Sequence, residues 1–176
     1  TGAGLVSEGT RPGVADAEGQ VGPTIANDRM TKMSETPLTI DGEVAHAAKL
    51  SRAELSALPD ETRIDDVSQV EERRQGRAVR LSALLERVEP NDSATHVTLH
   101  ASTDDFAASI PLEAASEVGI LIYEIDGKPL DTKAGGPFRF LIPNAAECKT
   151  ADTDACANVK FLDRIELTAG KGRDTR

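Results

Sequence analysis

Four arginines form the densest group of like charges in the sequence: Arg73, Arg74, Arg77 and Arg80. Guanidinium groups make forked hydrogen bonds to phosphate and carboxylate oxygens, so the cluster is a candidate site for an anion or an acidic partner. The alternative is a solvated face on which the arginines pair with Glu71 and Glu72. The sequence leaves both interpretations open.

The two cysteines, Cys148 and Cys156, lie in a polar stretch between Pro143 and Val159. In an oxidising compartment they could close a small disulfide loop. Two free structural thiols are an alternative. A metal or redox role is a further one, although neither a CxxC pair nor clustered histidines accompany them.

Other residue types that often do chemistry are less informative here. His96 and His100 share a strand face but stand roughly 13 Å apart at about 3.3 Å per residue, too far to hold one ion, so we interpret them as exposed face residues. Asp104 and Asp105 are predicted turn residues. The sequence contains no P-loop, nucleophile elbow or HExxH motif.

These residues must be positioned by many short strands and a few helices. Ser51 and Glu54 form a capping box, which predicts a helix from there to about Leu58. Apolar residues at helical spacing predict a second helix over 81–88, and Pro111 opens a short helical turn. Extended chain is predicted at 63–70 and strands at 38–40, 78–79, 97–101, 106–110, 119–125, 138–142 and 159–167. This pattern favours an α+β fold with a mixed or antiparallel sheet.

Composition divides the chain into three parts. Residues 1–36 contain no aromatic residue and many glycines, so we predict a flexible arm, with docking on a partner as the alternative. Residues 37–168 are expected to form the folded domain, and residues 169–176 a polar C-terminal tail.

The net charge of −10 argues against nucleic acid as a partner, since phosphate backbones repel an acidic surface. The sequence contains no run of 18 or more apolar residues, which argues against a membrane span. Because the chain begins at Thr1, we interpret it as a processed or trimmed product, which slightly favours an exported or periplasmic location.

Five separated landmarks in the C-terminal half occur in a characteristic order: Asp126-Gly127-Lys128-Pro129-Leu130, Gly135-Gly136-Pro137-Phe138-Arg139, Pro143, Val159-Lys160-Phe161-Leu162 and Ile165-Glu166-Leu167. Together with Leu38-Thr39-Ile40-Asp41-Gly42 and the Leu50–Pro59 helix, they resemble the molybdopterin-binding domain of the sulfite oxidase family over residues 37–168. The resemblance implies a mixed-sheet fold with short helices around a pterin site.

The resemblance also implies roles for single residues. Arg139 and Lys160 match residues at or near the anionic end of a molybdopterin-type cofactor, and Gly135 and Gly136 match the close backbone approach beside it. Cations and exposed backbone N–H groups suit a terminal phosphate. The alternative is that Gly135-Gly136-Pro137 is a simple turn and that Arg139 and Lys160 lie on solvated faces.

One family feature is replaced. Family members hold molybdenum through a cysteine thiolate, and the alignment places Gln69 at that position. A neutral, hard amide cannot replace a soft, charged thiolate. We therefore expect the fold to be kept and the chemistry changed, with no metal ligand or catalytic residue assigned; Cys148 as a displaced ligand is the alternative.

Two functions follow from these observations. The first is a sulfite-oxidase-family domain, an oxidoreductase or its remnant, that binds a pterin-type or other small anionic ligand through Arg139 and Lys160, with Gln69 at the vacated position. The second is a non-catalytic module that keeps only the fold and binds a protein partner.

Overall fold

The computed structural model describes residues 36–145 and 152–176, all in one compact unit. The predicted arm of residues 1–36 lies outside the described residues except for its last residue, and so does Cys148.

Residues 36–145 and 152–176 contain three short helices: α1 (Arg52–Ser56), α2 (Leu81–Val88) and α3 (Leu112–Val118). The predicted capping box of α1 is confirmed, because Ser51 Oγ accepts from the Glu54 backbone N–H and Glu54 accepts from the Ser51 backbone N–H. Helix α1 ends two residues before the predicted Leu58. Helix α2 has the predicted bounds, and its apolar stripe, including Leu81, Leu84 and Val88, is fully buried.

Eleven short strands form two sheets within the described residues. The first contains β1 (Leu38–Gly42), β2 (Ala48–Leu50), β5 (His96–Ala101), β6 (Phe106–Pro111) and β11 (Arg164–Thr168), in the order β2-β1-β11-β5-β6. The second contains β3 (Arg63–Ile64), β4 (Arg77–Arg80), β7 (Ile120–Ile125), β9 (Phe138–Leu141) and β10 (Val159–Leu162), in the order β10-β9-β7-β4-β3, with β8 (Lys128–Pro129) paired to β7. Strands β1 and β11 run parallel and the other pairs antiparallel, which confirms the α+β class with mixed pairing.

Strand alternation gives the second sheet two covered faces. Leu121, Tyr123 and Phe140 project into the main core, which also contains residues of the first sheet. On the opposite face, Ala78, Ile120, Ile122 and Leu141 form a smaller cluster that is covered by Val67 and Leu130 from two loops. This opposite face carries the clefts considered below.

The segment 63–70 departs from the predicted extended chain. Only Arg63–Ile64 is strand, and Val67–Gln69 is a 3-10 turn. The Asp66 side chain accepts a hydrogen bond from the Ser68 backbone N–H at 2.9 Å. This local bond gives the backbone an alternative to a strand ladder.

The face of β5 predicted to be exposed is largely covered. Thr98 is fully buried, and His100 is half-buried with its Nε2 2.9 Å from Glu166 Oε2. The cover over Thr98 comes from the predicted polar tail, in which Gly172 donates its backbone N–H to Ser109 Oγ and lies against Thr98. A sequence pattern on one strand could not show that a distant segment packs over it. No helix among residues 36–145 and 152–176 is long and apolar enough to cross a membrane.

Candidate functional site

Arg139 occupies a central position on the face of the second sheet that lies away from the main core. It pairs in register with Ile122 of β7, so its side chain shares a face with the smaller hydrophobic cluster. The guanidinium is half-buried and Nη1 donates to Ala134 O at 3.5 Å. Its Nε is buried with no hydrogen-bond partner in the structure. A buried donor without an acceptor costs free energy, so a ligand oxygen at this point would stabilise the side chain.

The guanidinium borders a cleft of about 370 Å³. One wall is the turn at residues 72–75, the apolar surface comes from Ile122, Ile125 and Leu130, and the other wall contains Lys133, Ala134 and Arg139. We call this the cationic cleft because Arg73, Arg74, Lys133 and Arg139 all line it. Among the described residues that line it, Glu72 is the one acidic residue.

The charges in the cationic cleft are not neutralised internally. Among the described residues, no carboxylate forms an ion pair with Arg73, Arg74, Lys133 or Arg139. Burial, and then the charge of Arg74, lower the pKa of Arg139 below its usual value. Both causes disfavour the charged guanidinium, and an anion between Arg74 and Arg139 would oppose both.

The paired glycines bring the 130–136 loop against β10. Gly135 is buried with φ +87°, and a Cβ there would lie 3.1 Å from Lys160 Cβ. Its carbonyl accepts from the Phe161 backbone N–H at 2.7 Å. A Cβ on Gly136 would lie only 2.0 Å from Leu130 O. The loop therefore needs both glycines to pass this closely, and it brings Lys160, which is exposed, next to the wall that contains Lys133.

Gln69 does not line the cationic cleft. It is exposed at the end of the 3-10 turn and borders a separate cleft of about 380 Å³ with Arg80, Ile120 and Asn144, here called the Gln69 cleft. Of the predicted residues, Arg139 alone lines the cationic cleft; Gly135, Gly136 and Lys160 lie beside it in the loop and strand that pack together, and Gln69 lies apart. Their roles in binding stay predictions.

The predicted arginine cluster is divided between three surroundings. Arg73 and Arg74 line the cationic cleft, while Arg80 borders the Gln69 cleft. Arg77 forms ion pairs with Asp65 at 3.7 Å and with the buried Glu124 at 3.5 Å, rather than with Glu71 or Glu72.

Two further residues of this region were not predicted. Lys133 lines the cationic cleft from the same loop as the glycine pair, and its place just before Gly135 is the only sequence signal that could have indicated it. Glu124 is buried and held by Arg52 at 2.5 Å as well as by Arg77. The sequence did not indicate a role for Glu124, because it is a lone acidic residue near the end of the apolar strand predicted at 119–125.

The donor set fits one part of a molybdopterin-type cofactor and not another. The uncompensated Arg139 Nε and its cationic neighbours fit an anionic group. For the metal, Gln69 offers an amide and no thiolate, and in residues 36–145 and 152–176 no three His, Cys, Asp or Glu side chains are grouped to hold an ion. Cys156 is not a free thiol, but Cys148 lies outside the described residues, so the disulfide stays a prediction.

The fold and the cleft define an α+β domain with mixed sheets and a cationic cleft on one face. The family model for the oxidoreductase molybdopterin binding domain matches residues 26–174, and the chain belongs to this family, as the sequence landmarks predicted. Among solved structures, the chain is similar to the sulfane dehydrogenase SoxCD from Paracoccus pantotrophus, with a TM-score of 0.57 and 16% identity. The match covers 77% of this chain and 38% of that one. At 16% identity the likeness is one of fold. No curated protein matches the sequence.

Proposed function

We propose that this domain binds a small anionic ligand, of the pterin-phosphate type, in the cationic cleft, and that it does so without the molybdenum–thiolate chemistry of its family. Arg139 is the principal anchor. Arg73, Arg74 and Lys133 contribute charge, and Lys160 supports the loop through its contact with Gly135.

The observation that carries this proposal is the half-buried Arg139, whose Nε has no partner and whose charge is opposed by Arg74. Proteins rarely leave a buried donor unsatisfied and rarely place like charges together without a counter-ion. A phosphate oxygen would accept from Nε and offset the repulsion. The apolar surface of Ile122, Ile125 and Leu130 suits the ring of such a ligand.

The chain's own residues can bind and orient this ligand, but they do not supply a redox centre. A molybdopterin-type cofactor, when bound with its metal, supplies oxo-transfer chemistry. Gln69 neither lines the cationic cleft nor provides a thiolate, so we assign no reaction step to it. The domain is in this sense a remnant of an oxidoreductase.

The test is to produce the chain in a host that makes the cofactor and to measure molybdenum by elemental analysis and oxidised pterin by fluorescence. We expect pterin without stoichiometric metal. Stoichiometric metal with pterin would show that the metal is held without the usual thiolate and would contradict our interpretation of Gln69.

Calorimetric titration with inorganic phosphate tests the anion site separately. We expect binding that weakens at least tenfold in Arg139→Gln. If neither pterin nor phosphate binds, the proposal is wrong, and the alternative of a module that binds a protein partner becomes the better explanation.

A further inference from the structure

Two loops that are distant in sequence are braced together between the Gln69 cleft, which Asn144 borders, and the 72–75 turn that lines the cationic cleft. The Asn144 backbone N–H donates to Glu71 Oε2 at 3.0 Å, and Asn144 Nδ2 donates to Val70 O at 3.3 Å. Asn144 has φ +53°, a left-handed conformation that asparagine adopts more readily than most residues. The turn at 143–145 is thereby fixed to the start of the segment that contains Arg73 and Arg74.

Glu71 connects this brace to the arginine turn itself. Its backbone carbonyl accepts from the Arg74 N–H at 2.9 Å, and its own N–H donates to Val67 O at 2.9 Å. The other end of the segment is held where Val67 N–H donates to Gly76 O, also at 2.9 Å. The residues that form the wall of the cleft are therefore anchored at their base by the Val67–Gly76 bond and at their side by the Glu71–Asn144 bond.

The brace has an electrostatic consequence as well. Glu71 is close in sequence to Arg73 and Arg74, and an unengaged carboxylate there could turn to either guanidinium and neutralise it. In the structure this carboxylate accepts from Asn144 instead, and it pairs with neither arginine. The brace thus keeps Arg73 and Arg74 available to an external anion.

From this geometry we infer that Glu71 and Asn144 are positioning residues for the cationic cleft: together they hold the Arg73–Arg74 turn in place and keep the Glu71 carboxylate away from it. The inference rests on the proposed anion-binding function. An acidic residue beside an anion site would in this case strengthen anion binding, which is the opposite of its charge effect.

The sign of the effect separates positioning from simple charge. We expect Glu71→Ala to weaken the binding of inorganic phosphate by up to about tenfold, because binding must then order the turn that this charged hydrogen bond holds in the wild type. Glu71→Gln keeps an acceptor for the Asn144 N–H and should bind phosphate within about threefold of the wild type. If Glu71 acted only as a nearby negative charge, both variants would instead bind phosphate more tightly, and the inference would be wrong.

Glu72→Ala is the matched control, since Glu72 lines the cleft and accepts no hydrogen bond from Asn144. Its removal should raise phosphate affinity, because a negative charge leaves the lining while the brace stays intact. If Glu71→Ala fails to fold, the phosphate affinity of Asn144→Gly tests the inference instead. It keeps the left-handed backbone and its N–H but loses the bond to Val70, so affinity should fall by about threefold. An unchanged affinity in Asn144→Gly would then overturn the inference.

The two proposals fail differently in these calorimetric titrations. Wild-type protein that does not bind phosphate would refute the anion site itself. Wild-type binding that is weakened by Arg139→Gln but not by Glu71→Ala or Asn144→Gly would leave the site standing and refute the brace.

Discussion

Arg139 has opposite effects on binding and on stability. Without a ligand, its unsatisfied Nε and the nearby charge of Arg74 oppose folding, whereas with an anion the same features favour binding. We expect Arg139→Gln to leave the free energy of unfolding unchanged or to raise it by up to about 1 kcal/mol in phosphate-free buffer. The phosphate-induced rise in melting temperature should disappear.

Arg87→Gln provides the control for Arg139→Gln, because it makes the same change of charge at an exposed position on α2. Its melting temperature should rise with phosphate as the wild type does. An Arg139→Gln protein that phosphate stabilises as strongly as wild type would contradict the assignment of Arg139 as the anchor.

Gly136 tests how closely the cleft loop packs. A Cβ at this position would meet the carbonyl oxygen of Leu130 at 2.0 Å, and backbone cannot move aside as a flexible side chain can. We expect Gly136→Ala to destabilise the domain by about 1–3 kcal/mol in denaturant titrations. Gly170→Ala, where nothing lies within 4 Å, should change stability by less than about 0.5 kcal/mol. Equal effects of the two would show that the close approach is not needed.

At the residue scale, the sequence indicated Arg139, Gly135, Gly136 and Lys160 because they belong to an ordered set of landmarks. It could not indicate the Glu71–Asn144 brace, whose partners are 73 positions apart and make a backbone-directed bond that leaves no pattern. The placement of Gln69 in a different cleft from Arg139 had no sequence signal either, because it depends on the path of a turn.

At the scale of elements, the capping box of α1 makes a measurable contribution. Ser51→Ala should destabilise the domain by about 1 kcal/mol at neutral pH. Hydrogen bonds from Ser51 lower the pKa of Glu54, so the stabilisation is present above the unfolded-state pKa and is lost as pH falls through the folded-state pKa. Ser51→Ala keeps the backbone N–H and loses only the hydroxyl bond to Glu54, so the difference between wild type and Ser51→Ala should shrink in part under acid conditions in pH-dependent denaturant titrations. A difference that is constant with pH would contradict this role of Glu54.

The helices were the most predictable elements because their signals are local. A capping box starts α1, and a complete apolar stripe marks α2. The segment 63–70 was predicted wrongly because Asp66 bonds to its own backbone and competes with strand pairing. The exposure of the β5 face that carries His96 and His100 was predicted wrongly, because Gly172, which covers Thr98 on this face, lies 74 positions later than Thr98.

At the scale of the whole molecule, a chain of net negative charge carries a local cationic cleft. The net charge of −10 repels extended polyanions, which must approach many surface charges at once. A small anion that enters the cleft interacts mainly with Arg73, Arg74, Lys133 and Arg139, since charges beyond about 8 Å are largely screened at physiological salt. Overall acidity and the proposed anion site are therefore compatible, and together they would favour small ligands over extended polyanions.

The C-terminal residues are part of the domain's stability, and Arg176 is the residue to test. Its side chain is 13% exposed, and the guanidinium donates to Asp174 Oδ2 at 2.8 Å and to Ser109 O at 3.0 Å and lies 3.9 Å from the buried Asp154. We expect Arg176→Gln to destabilise the domain by about 2 kcal/mol in denaturant titrations, whereas Arg173→Gln, which breaks an exposed pair with Asp105, should cost less than about 1 kcal/mol.

The bonds from Arg176 hold the pKa of Asp174 well below its usual range, so this stabilisation is present above the unfolded-state pKa and is lost as pH falls through the folded-state pKa. The wild type should accordingly lose more stability than Arg176→Gln on acidification below about pH 4. Equal costs for the two arginine variants would mean that the segment adds little to the fold despite its contacts.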